Sequence, residues 1–189
     1  MHQQKKYFRG GVAMRINFNK NAKLHEICAI DELRKPMEYV YFDEGNAVCS
    51  EGHIMAIFKI SEISTIEEEQ IKLLEGKFIH RSAFKEMLKY DEILIESEFI
   101  TAKGKGCDVR LPLKSDMKYP DYKKVIAYNS GRKGSKERIH INSKLLDTLQ
   151  SCVGGDGSII NMAIGSEGMI VNYPKKESYA LIMPKMINE

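Results

Sequence analysis

The sequence predicts an α+β protein of three consecutive βαβββ units, with antiparallel sheets on one layer and short helices on the other. The first observation is a repeated opening. Three times along the chain, a basic residue is followed by an alternating, strand-like tetrapeptide and then by a residue that can cap a helix. The second observation is the spacing: equivalent positions Ile16, Phe78 and Ile139 lie 62 and 61 residues apart, a nearly constant period.

A short helix is predicted after each opening. Apolar residues recur there at spacings of three or four, which is the helical period. Because helices of about ten residues are marginal alone, each should pack on the sheet of its own unit. The predicted caps are Asn19 or Asn21, Ser82, and Asn142 or Ser143, and the apolar positions are Leu24, Ile27 and Cys28; Phe84, Met87 and Leu88; Leu145, Leu146 and Leu149.

Three strand-like runs follow each helix, separated by turns rich in Gly, Asn, Pro and charged residues. The predicted strands cover residues 37–42, 47–50 and 53–60 in the first unit, 92–96, 99–102 and 108–113 in the second, and 158–164, 169–173 and 178–183 in the third.

The domain organisation follows from these units. Residues 14–128 are predicted to form one complete domain of two units, and residues 138–189 a third unit. The Gly-, Ser- and Lys-rich segment 129–137 is predicted to be an exposed linker. The acidic segment 62–75 is a connector that could add a helical turn. Residues 1–13 are basic and lack the apolar region of a signal peptide, so they are predicted to be a flexible tail.

Composition narrows the function classes. The net charge of +3 is too small to indicate a nucleic-acid partner by itself, although it is compatible with nucleic-acid binding. No apolar run approaches the length of a membrane span. The four cysteines and five histidines are scattered, without metal-ligand spacing, which favours reduced thiols in a cytoplasmic protein without a metal or cofactor. Phosphate-binding loops and nucleophile elbows are absent from the sequence, so catalysis is not expected.

Three stretches resemble motifs of the bacterial beta sliding clamps, the processivity rings of DNA polymerase III. Residues 49–57, CSEGHIMAI, resemble the family's TDGHRLA turn and strand. Residues 117–126, MKYPDYKKVI, resemble FPDYRRVIP, and residues 179–187, YALIMPKMI, resemble the ending YVVMPMRL. The likeness covers about residues 14–187, and it implies the clamp fold.

The chain also departs from that family. Family members have six such units in three domains and close as dimers, whereas this chain has three units. It looks like the middle domain followed by the final half of the last one. Ser50 and Glu51 stand where Thr and Asp are usual, Ile54 where Arg is usual, and Lys185 where Met is usual. These changes bear on the affinity for partners rather than on the fold.

The resemblance implies a surface groove that takes up short apolar-acidic peptides from polymerases and other clamp-binding proteins. Adaptable methionines, rigid Pro and Tyr walls and nearby lysines suit that task. Without the resemblance, the same residues would be ordinary core and strand-end positions. The groove is predicted to consist of Gly52, His53, Ile54, Met55, Pro120, Tyr122, Lys124, Val125, Leu181, Ile182, Met183, Pro184 and Met186.

The resemblance also implies sequence-independent contact between duplex DNA and basic side chains on the short helices. Arg81, Lys85 and Lys89 follow one another at intervals of four and should share one helix face, although such a face can simply be solvated. The predicted DNA-contacting residues are Lys20, Lys23, Arg34, Lys35, Arg81, Lys85, Lys89 and Lys144.

Two functions remain open at this point. The first is a sliding-clamp-like processivity factor that associates with duplex DNA and tethers a polymerase. The second is a clamp mimic that binds clamp-binding peptides as a competitor, without encircling DNA. Because three units leave open sheet edges, self-association is expected. A ring of four copies is favoured geometrically, a dimer through paired third units comes second, and a monomer requires the third unit to fold back on the first.

Overall fold

The computed structural model describes residues 16–104, 106–130, 140–153, 161–164, 168–173 and 176–184; the predicted tail 1–13 lies outside them. Ten antiparallel strands form one continuous sheet in the order β5-β6-β7-β4-β1-β2-β3-β10-β9-β8. The strands are β1 Tyr39–Asp43, β2 Asn46–Ser50, β3 Ile54–Lys59, β4 Phe78–His80, β5 Glu92–Ile95, β6 Phe99–Lys103, β7 Asp108–Lys114, β8 Asn161–Ile164, β9 Met169–Asn172 and β10 Tyr179–Ile182.

The helices of the described residues are short. They are α1 Ile60–Ile63, α2 Glu68–Leu74, α3 Arg81–Met87, α4 Tyr122–Ser130 and α5 Ser143–Val153, together with two 3₁₀ segments, Leu24–Glu26 and Glu32–Glu38. The first 3₁₀ segment contacts both α3 and α5, so helical elements from all three units lie side by side. None of the described helices has the length and apolar character needed to cross a bilayer.

The predicted fold class is confirmed. Each of the nine strands predicted after the helices has a counterpart whose described ends differ by a few residues, and residues 158–160 of the predicted strand 158–164 lie outside the described residues. The first and third openings differ from the prediction. The first opening forms one isolated β-bridge, between Phe18 and Ser64, in place of a strand. The helix that follows it is only the 3₁₀ turn Leu24–Glu26. The opening strand of the second unit, β4, is held on both sides, by β1 and β7. Residues 140–142 are not in a strand, and Arg138 and Ile139 of this opening lie outside the described residues.

Helix α4 was not predicted. Asp121 caps it, since the backbone N–H of Lys124 donates to Asp121 Oδ1 at 3.2 Å. The helix continues to Ser130, so the first two residues of the predicted linker 129–137 are helical, and the remaining ones lie outside the described residues.

The main core lies between the sheet and the helices. Alternate residues of each strand point toward this core. In β1, for example, Val40 and Phe42 are fully buried there, whereas the residues on either side of each are only partly buried. From the helical side, Leu24, Phe84 and Leu149 reach the same core. The ring of Phe84 packs on that of Phe18 with centroids 5.1 Å apart. The core therefore joins residues of all three units.

A second apolar cluster covers the opposite face of the sheet. Met55 and Ile57 of β3 and Leu181 of β10 belong to it, and Tyr119 and Tyr122 pack on them. Met55 and Leu181 are register partners on neighbouring strands. Because side chains alternate between the two faces of a strand, this cluster collects the residues between those of the main core.

The third unit docks on the first through β10 and β3. Their backbones pair from Tyr179 opposite Ile57 to Ile182 opposite Ile54. At one end, Glu62 accepts hydrogen bonds from the backbone N–H of Glu177 at 2.6 Å and from the Ser178 hydroxyl at 2.5 Å. A carboxylate that receives several donors is a strong link. This pairing fixes where the end of the described chain lies relative to the first unit.

Candidate functional sites

Three separate stretches of the sequence meet at the second apolar cluster. The turn before β3 carries Gly52 and His53, α4 follows Pro120, and β10 leads into Met183 and Pro184. The backbone N–H of Met183 donates to the carbonyl oxygen of His53 at 2.8 Å, which continues the β3–β10 ladder by one residue. The structure thus brings the three predicted groove segments to one side of the sheet.

The predicted groove residues divide between the two faces of the sheet. Met55 and Leu181 point into the second cluster, where Tyr122 packs with them. Ile54 and Ile182, by contrast, are buried in the main core under the helices. The strand period of two places them away from the groove side, so their part in a groove would be through the backbone.

The rim of the groove is more exposed than its floor. Met183 and Pro184 are half-buried, and Met183 packs against the second cluster. Met186 lies outside the described residues. Five further predicted groove residues are exposed to solvent: Gly52, His53, Pro120, Lys124 and Val125. Of these, Lys124 is paired with Asp121, with Nζ 2.8 Å from Oδ2.

A polar latch holds α4 against the hairpin of β1 and β2. The Tyr122 hydroxyl donates to Asp43 Oδ2 at 2.7 Å, and Lys123 Nζ lies 2.8 Å from the same carboxylate and 2.9 Å from Glu44 Oε1. Burial alone would raise the pKa of Asp43, but the hydrogen bonds from Lys123 and Tyr122 outweigh it and leave that pKa below its usual range. The latch positions Tyr122, the aromatic wall of the predicted groove.

Replacing Tyr122 with phenylalanine should lower the free energy of unfolding by about 1.5–3 kcal/mol, the usual worth of a hydrogen bond to a charged group. Because the folded pKa of Asp43 is depressed, this stabilisation is present above the unfolded carboxyl pKa and disappears as pH falls through the lower folded pKa. Urea unfolding of both proteins at neutral and acidic pH measures the difference. A difference that persists after Asp43 is protonated would contradict the latch.

Sequence reasoning missed several residues at this site. Ile126 packs against the second cluster one helical turn after Tyr122, and Tyr179 and Ile170 also contact it. The signal for Ile126 was available: Asp121 as a cap, followed by Tyr122 and Ile126 four residues apart, is a helix pattern. The latch residue Asp43 gave no such signal, because its partner lies 79 positions away.

The predicted DNA-contacting residues lie on or beside the helical layer. Arg81 and Lys85 stand one turn apart on α3. Lys89 lies beyond the end of that helix at Met87, so the helix face holds two of the three predicted basic residues. Lys144 lies in the first turn of α5, and the others precede or belong to the 3₁₀ segments.

Half of these basic residues are engaged with carboxylates: Lys20 with Asp91 at 3.9 Å, Lys23 with Glu26 at 3.9 Å, Arg34 with Asp31 at 3.8 Å, and Lys89 with Glu86 at 2.6 Å. In the described part of the chain, no carboxylate lies within 4.0 Å of Lys35, Arg81, Lys85 or Lys144. Those four have their charge available for an outside anion.

The architecture matches known structures. Over 97% of this chain and 69% of the other, it superposes on a sliding clamp, DNA polymerase III subunit beta, from Bartonella birtlesii with a TM-score of 0.60 at 14% identity. The corresponding protein of Borrelia burgdorferi gives a TM-score of 0.58 at 16% identity, covering 96% of this chain and 68% of the other. The chain has a sliding-clamp fold.

The sliding-clamp fold is recognised here by structure alone. A further match, DNA polymerase III beta subunit from Thermotoga maritima, has a TM-score of 0.58 at only 6% identity, over 89% of this chain and 62% of the other. No protein-family model and no curated protein matches the sequence. Within the described residues, no group of three His, Cys, Asp or Glu side chains could hold a metal ion.

Proposed function

We propose that this chain is a sliding-clamp-like processivity factor that associates with duplex DNA and tethers a polymerase through a peptide-binding groove. The observation that carries the proposal is the meeting of three distant stretches at the second apolar cluster, within a sliding-clamp fold. Met55, Leu181 and Met183 offer an adaptable apolar surface for a peptide. Exposed Lys124 stands at its rim and could attract acidic peptide residues.

Duplex DNA would lie against the helical layer. Arg81, Lys85 and Lys144 have no carboxylate within 4.0 Å among the described residues, and contacts between such cations and phosphates do not depend on base sequence. No catalytic step is assigned to either surface. The protein would act by holding a polymerase near its template.

A closed ring requires several copies. Among the described strands, β5 and β8 are the two edges of the sheet. On β5 the backbone N–H of Ile93 already donates to the Ile16 carbonyl oxygen at 2.8 Å, so a neighbouring copy would pair with the other backbone groups of that edge. Head-to-tail pairing of β5 on one copy with β8 on the next would extend the sheet. If rings of this fold contain twelve units, four copies of three units close one; paired third units in a dimer are the second arrangement.

The rival function is a clamp mimic that captures clamp-binding peptides without holding DNA. The engagement of Lys20, Lys23, Arg34 and Lys89 with neighbouring carboxylates favours it, because paired charges neutralise fewer phosphates. Both functions use the same groove and therefore differ only at the helical layer and in assembly.

Retention on nicked circular DNA tests the two functions against each other. A processivity ring is expected to stay on the circle and to leave once the DNA is linearised, and its equilibrium binding should weaken steeply with salt. Light scattering on the same sample should give a mass several times the 21.6 kDa of one chain. A single-chain mass at tens of micromolar, with peptide binding but no DNA retention, would reject the ring and leave the mimic.

A further inference from the structure

A cleft of about 510 Å³ opens between the first 3₁₀ turn and α3, on the helical side of the sheet. His25 comes from the 3₁₀ turn, and His80, Arg81 and Lys85 come from β4 and α3. Two carboxylates, Glu26 and Glu38, also line the cleft. The cleft is separate from the peptide groove, which lies on the opposite face. Its lining is dominated by groups that can donate hydrogen bonds to an anion.

Arg81 and Lys85 are the two cations of this cleft. The Arg81 Nε–H donates to the carbonyl oxygen of His25 at 3.3 Å, which fixes a half-buried guanidinium and leaves its other nitrogens to a ligand. Lys85 is exposed and stands four residues on, over the same face. Within the described residues, neither has a carboxylate within 4.0 Å, unlike Lys89 on the neighbouring turn.

His80 turns one ring nitrogen toward the chain and leaves the other for the cleft. Nδ1 accepts from the backbone N–H of Ser82 at 3.3 Å and lies 2.7 Å from the Ser82 hydroxyl oxygen, so Nε2 is the nitrogen left for a ligand. The nearest carboxylate oxygen, Glu38 Oε2, lies 3.9 Å from Nε2, which is beyond hydrogen-bond distance. Nε2–H is therefore a further donor at the cleft.

The pKa of His25 is affected by the positive charges that line the cleft. Burial lowers the pKa of this imidazole, and although Glu26 opposes the change, the charges of Lys85, Arg81 and Lys23 lower it further. Glu26 is itself engaged, by Lys23 at 3.9 Å and by the Ser151 hydroxyl at 3.2 Å. His25 Nδ1 is buried and has no hydrogen-bond partner in the described structure. An anion in the cleft would offset the effect of Lys85 and Arg81 on the pKa of His25.

We propose that this cleft is a binding site for a phosphate group, held by Arg81, Lys85 and the Nε2–H of His80. A planar guanidinium with fixed orientation suits a tetrahedral oxyanion, and charge-assisted hydrogen bonds from Lys85 and Arg81 are the strong kind. Glu38 opposes the anion and limits its affinity. The site shares Arg81 and Lys85 with the proposed DNA-facing layer, but it requires neither ring closure nor duplex DNA.

The test is a titration of the full chain with inorganic phosphate, and with sulfate as a second tetrahedral anion, followed by calorimetry at constant ionic strength. Saturable binding is expected for both anions. Arg81→Gln and Lys85→Gln should each weaken it about tenfold, the loss that one charge-assisted hydrogen bond implies. Lys72→Gln removes the charge of an exposed lysine of α2, outside the cleft and outside both proposed surfaces, and should leave the affinity unchanged.

Glu38→Gln provides a test in the opposite direction, since removing the opposing carboxylate should tighten anion binding several-fold. This gain cannot come from misfolding. Binding that does not saturate, an equal loss in Lys72→Gln, or no gain in Glu38→Gln would each overturn the assignment and indicate diffuse charge attraction.

Competition with duplex DNA separates the two sources of phosphate. If sulfate displaces DNA from the unmodified protein but not from the Arg81→Gln variant at equal ionic strength, the cleft holds a backbone phosphate. If the chain binds no DNA but retains saturable, Arg81-dependent anion binding, the proposed DNA function fails and the cleft stands as a site for a free phosphate.

Discussion

Replacing Phe84 with alanine is expected to lower the free energy of unfolding by about 3–5 kcal/mol, the range for removing a buried aromatic ring. Phe84 of α3 is fully buried and packs on Phe18 with ring centroids 5.1 Å apart, and Phe18 in turn stacks on Phe42 of β1 at 6.2 Å. The ring thus joins the second unit to the first. Its removal leaves a cavity that the continuous sheet cannot close.

Chemical denaturation of both proteins measures this loss. The matched control is Leu33→Ala, because Leu33 is 95% exposed and its truncation should change the free energy of unfolding by less than about 0.5 kcal/mol. A loss below about 1 kcal/mol for Phe84→Ala would mean that the first two units do not share one core.

The repeated unit could be predicted from the sequence because strands and short helices leave local patterns of apolar and polar residues. Phe84, Met87 and Leu88 were predicted to face a core from their spacing alone, and all three are buried. The hairpin at Glu44 and Gly45 likewise follows from turn chemistry, since both residues have positive φ and connect directly paired strands.

Other features depend on long-range partners and could not be read locally. The first helix was predicted from apolar spacing, but Lys23 offers it no side-chain cap and only one 3₁₀ turn forms. The sequence alone did not show which face of the sheet each predicted groove residue occupies. That assignment depends on the register between β3 and β10, which buries Ile54 and Ile182 on the helical side. Of the ion pairs made by the predicted basic residues, Lys20 with Asp91 joins distant positions and gave no local signal, whereas the other three join residues three positions apart.

The double substitution Met183→Ala and Pro184→Ala is expected to weaken binding of a polymerase-derived clamp-binding peptide about a hundredfold. Losses above 2 kcal/mol are typical of a few central interface residues, and 2.7 kcal/mol corresponds to about that factor. Met183 packs against the second cluster, while Pro184 stiffens the chain where it leaves β10. In the proposed groove, both residues would line the wall that β10 leads into.

The fold should survive this change. Both side chains are only half-buried, and the hydrogen bond from the Met183 N–H to the His53 carbonyl oxygen uses backbone atoms that alanine keeps. Fluorescence anisotropy of a labelled peptide gives the affinity, and thermal unfolding gives the stability. Ile30→Ala truncates an exposed apolar residue outside the groove and should leave the peptide affinity unchanged. Undiminished peptide binding by the folded double variant would refute the groove. A loss of stability with no loss of peptide affinity would mean that Met183 and Pro184 serve packing alone.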